Sequence, residues 1–193
     1  LRDGHEVDRG LGFMGTQLFV DQHFLKRGRI GRMLPLMRAK GYGLGLGVEE
    51  NSAAVLKGDT VEILGRALVV NLADARSDPA LGAFNLANIR VSLLDTGDTL
   101  RLSDGRITPA AAKGRGDVLD PAAPGYKPYY SLQPFQVDML GDNVIATVMA
   151  QLIDASYNEV LGIAFHPRPA AGDALGALGF EFRLRKGPGS IGW

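Results

Sequence analysis

His23 is one of three histidines in the chain, and it follows the apolar run Leu18-Phe19-Val20 after Asp21 and Gln22. A polar cluster closing an apolar strand marks the strand end, where α/β proteins commonly present catalytic groups. An imidazole titrates near neutral pH, so it can act there as a general base. A second polar cluster, Glu49-Glu50-Asn51-Ser52, closes the segment Leu44-Gly45-Leu46-Gly47-Val48. A carboxylate from the second cluster can orient the imidazole of the first and stabilise its charged form, the logic of a hydrolase triad. Adjacent residues of an extended chain point to opposite faces, so only one of Glu49 and Glu50 can meet His23. Two neighbouring carboxylates also raise a metal site, but no third ligand stands at a suitable spacing, and no metal is expected.

The other candidates carry blander readings. His5 falls in a polar N-terminal loop and is read as solvated; His166, in Phe165-His166-Pro167-Arg168, is read as a turn residue. Ser52 is read as a structural hydroxyl at a strand start. The alternation Gly43, Gly45, Gly47 lacks the Gly-Lys-Ser/Thr ending of a phosphate cradle. It is better explained by close packing against the strand. Lys26, Arg27, Arg29, Arg32, Arg38 and Lys40 lie in a window without acids, by default a solvated helix face.

These residues need elements to hold them. Apolar patterning predicts a short strand over 17–21 and a helix over 27–40, with Ile30, Met33, Leu34 and Met37 on one face and Pro35 as a potential kink. Gly41 ends that helix. A strand follows over 44–48, then a hairpin over 53–56 and 60–64 about Gly58. Further strands are expected over 67–72 and 89–94. Residues 101–135, rich in Gly, Pro, Ala and Asp, are expected to form a long loop or insertion. The strongest helix is expected over 143–155, with Val144, Ile145, Val148, Met149, Leu152 and Ile153 as its apolar stripe. Strands over 160–165 and 180–185 complete the chain.

Composition bounds what such a chain does. It has 193 residues, 46% hydrophobic and 22% charged, which is a globular composition long enough for one domain with a core. Lys+Arg and Asp+Glu are both 21, so the chain is neutral. With no aromatics interleaved among the basic residues, neither nucleic acid nor an anionic membrane is expected as a partner. There is no cysteine, hence no thiolate ligand and no cysteine nucleophile. The compartment stays open, cytoplasmic or exported. The chain begins at Leu1, which suggests that something upstream was removed or is supplied as another chain.

Five ordered blocks carry a family resemblance: Gly10-Leu11-Gly12-Phe13; Val20-Asp21-Gln22-His23-Phe24; Arg27-Gly28-Arg29-Ile30-Gly31-Arg32-Met33-Leu34; Gly43-Leu44-Gly45-Leu46-Gly47-Val48-Glu49-Glu50-Asn51; and Val61-Glu62-Ile63-Leu64-Gly65. Together, over about residues 10–95, they resemble the cyanophycinases, serine peptidases related to the aspartyl dipeptidases. The resemblance implies a three-layer α/β sandwich of the class I glutamine amidotransferase (flavodoxin-like) kind. This chain would supply its C-terminal part, with an added antiparallel segment. The resemblance makes His23 the catalytic base and Glu50 its acid, and puts Gln22, Arg27, Arg29 and Arg32 at positions lining or supporting the substrate cleft.

The implied substrate is cyanophycin, an arginine-bearing poly-aspartate, cleaved to β-Asp-Arg dipeptides without metal or organic cofactor. The family often forms dimers. Its nucleophile is a serine in a Gly-Thr-Ser-Ala-Gly-like turn upstream of the histidine, and none of the 22 residues before His23 is a serine. A nucleophile-bearing N-terminal chain or segment is therefore the expected partner, and this chain alone is expected to be inactive. An aspartyl or isoaspartyl dipeptidase, and a binding or assembly subunit that kept the site residues, are the alternatives.

Overall fold

A computed structural model describes residues 12, 18–165, 168, 170–173, 176 and 178–193. His5, His166 and most of the block around Gly10 lie outside the described residues. The fold is mixed α/β, with several sheets and few helices, consistent with a flavodoxin-like α/β class. It divides into two compact units: Arg29–Ala110 with the preceding residues through Phe24, and Leu25–Gly28 with Ala111–Trp193.

The first unit opens with a parallel crossover. Strand β1 (Phe19–Gln22) leads to helix α1 (Ile30–Lys40) and strand β2 (Leu44–Val48), which pairs in parallel with β1. Parallel strands need such a crossover, because no tight turn reverses the chain twice. The helix starts at Ile30, three residues later than periodicity predicts, because Gly28 has φ +54 and cannot belong to a right-handed helix. Pro35 lies inside α1 without ending it. Gly41 ends it at φ 75, its N–H bonding the Met37 carbonyl, as a left-handed cap does.

From β2 onward the unit turns antiparallel. Strands β3 (Ala53–Lys57) and β4 (Thr60–Leu64) form the expected hairpin, and β5 (Arg66–Asn71) returns beside β2. Strand β6 (Arg90–Asp95) lies on the outer side of β5. Two short strands, β7 (Thr99–Arg101) and β8 (Ile107–Thr108), extend the hairpin into a second sheet. The sheets run β1-β2-β5-β6 and β3-β4-β7-β8. One apolar core includes Leu44, Leu46, Val61, Ile63, Val69, Leu94 and Leu100, residues drawn from both sheets.

Strand β2 shows how its glycines serve this packing. Leu44 and Leu46 point into the shared core, while Gly45 and Gly47 point to the opposite face. A Cβ on Gly45 would stand 2.6 Å from the Met37 sulfur and 3.1 Å from that of Met33. Both methionines are fully buried, each worth about 1.5–3 kcal/mol. The glycine alternation is thus the floor on which α1 rests.

The second unit holds helix α2 (Val144–Ile153), which buries Ile145, Ala146, Val148 and Leu152. Its sheet runs β11-β10-β9: β9 (Phe135–Gln136) is parallel to β10 (Glu159–Phe165), and β10 is antiparallel to β11 (Gly179–Arg185). Much of 101–135 has no regular structure, apart from the end of β7, β8, one 3-10 turn at Lys113–Arg115 and the start of β9. Among the described residues no helix is long and apolar enough to cross a membrane.

Candidate active site

The register of β1 against β2 sets Gln22 beside Val48, so His23 and the Glu49-Glu50 pair leave the same end of the sheet. This is the carboxyl end of two adjacent parallel strands, the usual place for ligands in open α/β sheets. Nδ1 of His23 lies 3.1 Å from Oε1 of Glu50. Their side chains are 40% and 29% exposed, so the pair is reachable from solvent. With Nδ1 engaged by a carboxylate, Nε2 is the nitrogen that faces outward chemistry.

Both residues depend on unusual backbone. His23 has φ 49 and Asn51, which follows Glu50, has φ 56. Left-handed conformations are uncommon for residues with a Cβ and cluster at functional sites. The chain is fixed on either side of His23. The Phe24 N–H donates to the Val48 carbonyl at 3.3 Å, and the Phe24 ring is buried over Gly47.

Of the two glutamates, Glu50 meets His23; the Glu49 carboxylate accepts the backbone N–H of Glu50 at 2.8 Å. Ser52 is a structural hydroxyl. It donates to the Glu50 carbonyl at 3.2 Å and accepts the Arg66 N–H at 2.9 Å, joining the start of β3 to the start of β5.

The arginines divide. Arg32 grips Asp21 with two donors, Nε to Oδ2 at 2.8 Å and Nη2 to Oδ1 at 2.5 Å, a fork matched to a carboxylate. Nη1 of Arg29 donates to the same Oδ1 at 3.0 Å and to the Gln22 carbonyl at 2.7 Å. Asp21 itself is buried. Burial works against its charge, but the bonds from Arg32, the Gln22 N–H and Arg29 outweigh it and hold its carboxyl below the usual carboxylate range. Arg27 is exposed, as is Gln22.

Asp21 is the functional-region residue that sequence reasoning left without a task. The signal was present: a carboxylate at an inward strand position, with two arginines one helical turn apart beyond it. The guanidiniums of Arg29 and Arg32, expected at positions lining or supporting the cleft, bond that carboxylate and brace the strand end carrying His23.

A histidine and a carboxylate joined at the carboxyl ends of neighbouring parallel strands are the pairing that a general-base unit requires. No family model matches the chain. It is 31% identical over 113 residues to the cyanophycinase of Trichormus variabilis, a match covering 54% of this chain and 38% of that protein. The cyanophycinase of a Nostoc species gives the same figures. The cyanophycinase of Synechococcus elongatus is 32% identical over 108 residues, covering 50% of this chain and 32% of that protein. These similarities support kinship with a cyanophycinase-like peptidase family, within the hydrolases. The chain's match spans less than two fifths of these relatives' own length.

Proposed function

We propose that this chain is the base-and-acid-bearing part of a cyanophycinase-like serine peptidase that releases β-Asp-Arg dipeptides from cyanophycin. The observation that carries the reading is the 3.1 Å contact between His23 and Glu50 at one end of the β1–β2 pair. In the complete enzyme, Nε2 of His23 takes the hydroxyl proton of a serine as its oxygen attacks the peptide carbonyl. The same nitrogen returns the proton to the leaving amine. Glu50 accepts from Nδ1–H, selecting the tautomer that leaves Nε2 basic, and stabilises the imidazolium that forms.

The serine is supplied by a segment outside these 193 residues. Two features support that division. Ser52 is engaged by the backbone on both sides. Strand β1 is outermost in its sheet among the described residues, and Val20 on it is 49% exposed. An outermost strand offers unpaired backbone amides and carbonyls, to which a further strand can add.

The substrate is a chain of arginine-bearing aspartates; Gln22 and Arg27, both exposed, are among the polar groups available to meet it. If the complete protein cleaves only short aspartyl peptides, it is an aspartyl dipeptidase; if it cleaves neither, the chain is a binding subunit.

The test measures β-Asp-Arg release by the complete protein. His23→Ala and Glu50→Gln are expected to lower kcat by about 10²–10⁴-fold with the fold retained. Wild-type rates in both variants would overturn the assignment.

A further inference from the structure

We infer that Ser52 is a positioning residue for the acid of the site, a hydroxyl bridge that holds the Glu50 backbone where its carboxylate meets His23. The inference rests on the reading of Glu50 as the group that orients the imidazole. Strand pairing alone does not fix either partner. The ladder between β1 and β2 ends at Gln22 and Val48, so His23 and Glu50 both lie beyond it. His23 is tied back through the Phe24 N–H, which donates to the Val48 carbonyl. Ser52 is the corresponding tie for Glu50.

The peptide groups of Glu50 are held from both sides by neighbouring side chains. Its N–H donates to the Glu49 carboxylate at 2.8 Å, and its carbonyl accepts the Ser52 hydroxyl at 3.2 Å. Between them stands Asn51, at φ 56. A left-handed residue with a Cβ persists only where its surroundings over-determine it. The surroundings converge on the backbone of Arg66. Its carbonyl accepts the Glu49 N–H at 3.1 Å, and its N–H donates to the Ser52 oxygen at 2.9 Å. Ser52 must therefore donate to one backbone group and accept from another, which a hydroxyl does with a single atom.

Arg66 is itself fixed. It enters β5, where the next residue, Ala67, pairs with Val48. It follows Gly65, left-handed at φ 88, whose N–H donates to the Thr96 hydroxyl at 2.7 Å. A Cβ on Gly65 would stand 2.4 Å from the Ser52 oxygen and 3.0 Å from its Cα. The glycine thus leaves the room in which the bridge forms. Through Ser52, the turn that carries Glu50 is referred to the β4–β5 junction and not to the end of β2 alone.

The test reads the tautomer of His23 by NMR of isotope-labelled histidine nitrogens in the complete protein. The measurement is made at about pH 9, where a free imidazole is neutral. The His23 signals are those lost in His23→Ala. A carboxylate that accepts from Nδ1 keeps the proton there, so the wild type is expected in the Nδ1–H form. Glu50→Ala is expected to release the ring to the Nε2–H form that free histidine favours.

Ser52→Ala is expected to move the ring most of the way to the Glu50→Ala result. Ser52→Thr keeps the hydroxyl and is expected to keep the wild-type form. Gly65→Ala keeps the serine but crowds its oxygen, and is expected to act as Ser52→Ala does; it carries the same test if Ser52→Ala does not fold. A merely structural serine would lower the urea midpoint and leave the tautomer in place. In dipeptide release, Ser52→Ala should lower kcat by about 10–100-fold, as a misplaced catalytic group does. KM should change by less than about twofold.

A wild-type tautomer in Ser52→Ala, with Glu50→Ala shifted, would overturn the inference and leave Glu50 in its role. An unshifted Glu50→Ala would overturn both. A raised KM at unchanged kcat would make Ser52 a substrate contact and also overturn it. A wild type that releases no dipeptide would overturn the peptidase reading alone, since the tautomer decides this inference by itself.

Discussion

Nη1 of Arg29 holds the Asp21 carboxylate at 3.0 Å and, with the same nitrogen, the carbonyl of Gln22 at 2.7 Å. One guanidinium therefore fixes a buried acid and the peptide that leads into His23. Breaking such an arrangement from one side leaves charge without its partner, the costly way to alter an ion pair. Asp21→Asn removes the anion and leaves two arginines facing an amide. Arg32 is half exposed and can turn to solvent, so the expected loss is at the low end for buried pairs, about 3 kcal/mol. Urea denaturation reads it, and a loss below about 1 kcal/mol would show that the clamp is ornamental to stability.

The same carboxylate sets an acid limit. Its folded pKa is below its unfolded value, so its contribution is complete above the ordinary carboxylate range and disappears as pH falls through the depressed folded value. The wild type should therefore lose stability more steeply than Asp21→Asn below about pH 4. The two curves should converge in strong acid. Parallel melting-temperature profiles from pH 6 down to pH 2 would contradict the coupling.

The clamp also shows where sequence reading stops. The crossover β1-α1-β2, the hairpin β3-β4 and helix α2 were legible because each repeats its apolar positions at a fixed period over several residues. Strands β7, β8 and β9 were not, since two or three residues carry no period and pair only because neighbours supply an edge. Arg29 and Arg32 had a solvated helix face as their default reading, and the family resemblance put them at positions lining or supporting the cleft. Their spacing lets both reach one carboxylate, but it does not report the left-handed Gly28 that precedes α1. The glycines of β2 were legible as close packing, but not what packed there. The left-handed turn at His23 had only a weak signal, because histidine is enriched there but adopts that conformation in a small minority of cases.

That turn yields a prediction that separates stability from catalysis. A left-handed residue with a Cβ is strained by about 1–2 kcal/mol relative to glycine. His23→Gly should therefore be more stable than His23→Ala by about 1 kcal/mol, while both remove the imidazole proposed as the base. Equal denaturation midpoints for the two variants would mean that φ 49 at His23 is not maintained in solution.

In the second unit, Tyr126 offers an alkaline counterpart to Asp21. Its hydroxyl donates to Oδ1 of Asp154 at 2.7 Å. Burial first, then the bond and charge of Asp154, push its pKa up to about 12. The neutral phenol is the favoured folded form, so its contribution is complete below pH 10 and is lost as pH rises toward 12. Tyr126→Phe should cost about 1 kcal/mol at neutral pH. The difference from wild type should shrink between those limits. A difference that stays constant to pH 12 would remove Asp154 as its partner.

Gly47 and Phe24 supply the contact that seats the residue after His23. A Cβ on Gly47 would lie 2.1 Å from the nearest atom of the Phe24 ring, and the ring is almost fully buried. The ring cannot withdraw without moving Phe24, whose N–H is bound to Val48 beside the His23 turn. Gly47→Ala should therefore destabilise by about 1–3 kcal/mol through overpacking. It should also lower catalytic turnover in the complete enzyme more than substrate affinity, because displacement of Phe24 carries His23 away from Glu50. The control is the same substitution in a Phe24→Leu background, where the smaller side chain leaves room. There Gly47→Ala should cost less, and the coupling between the two sites should exceed about 0.5 kcal/mol. Strict additivity would place the limit on Gly47 somewhere other than the ring.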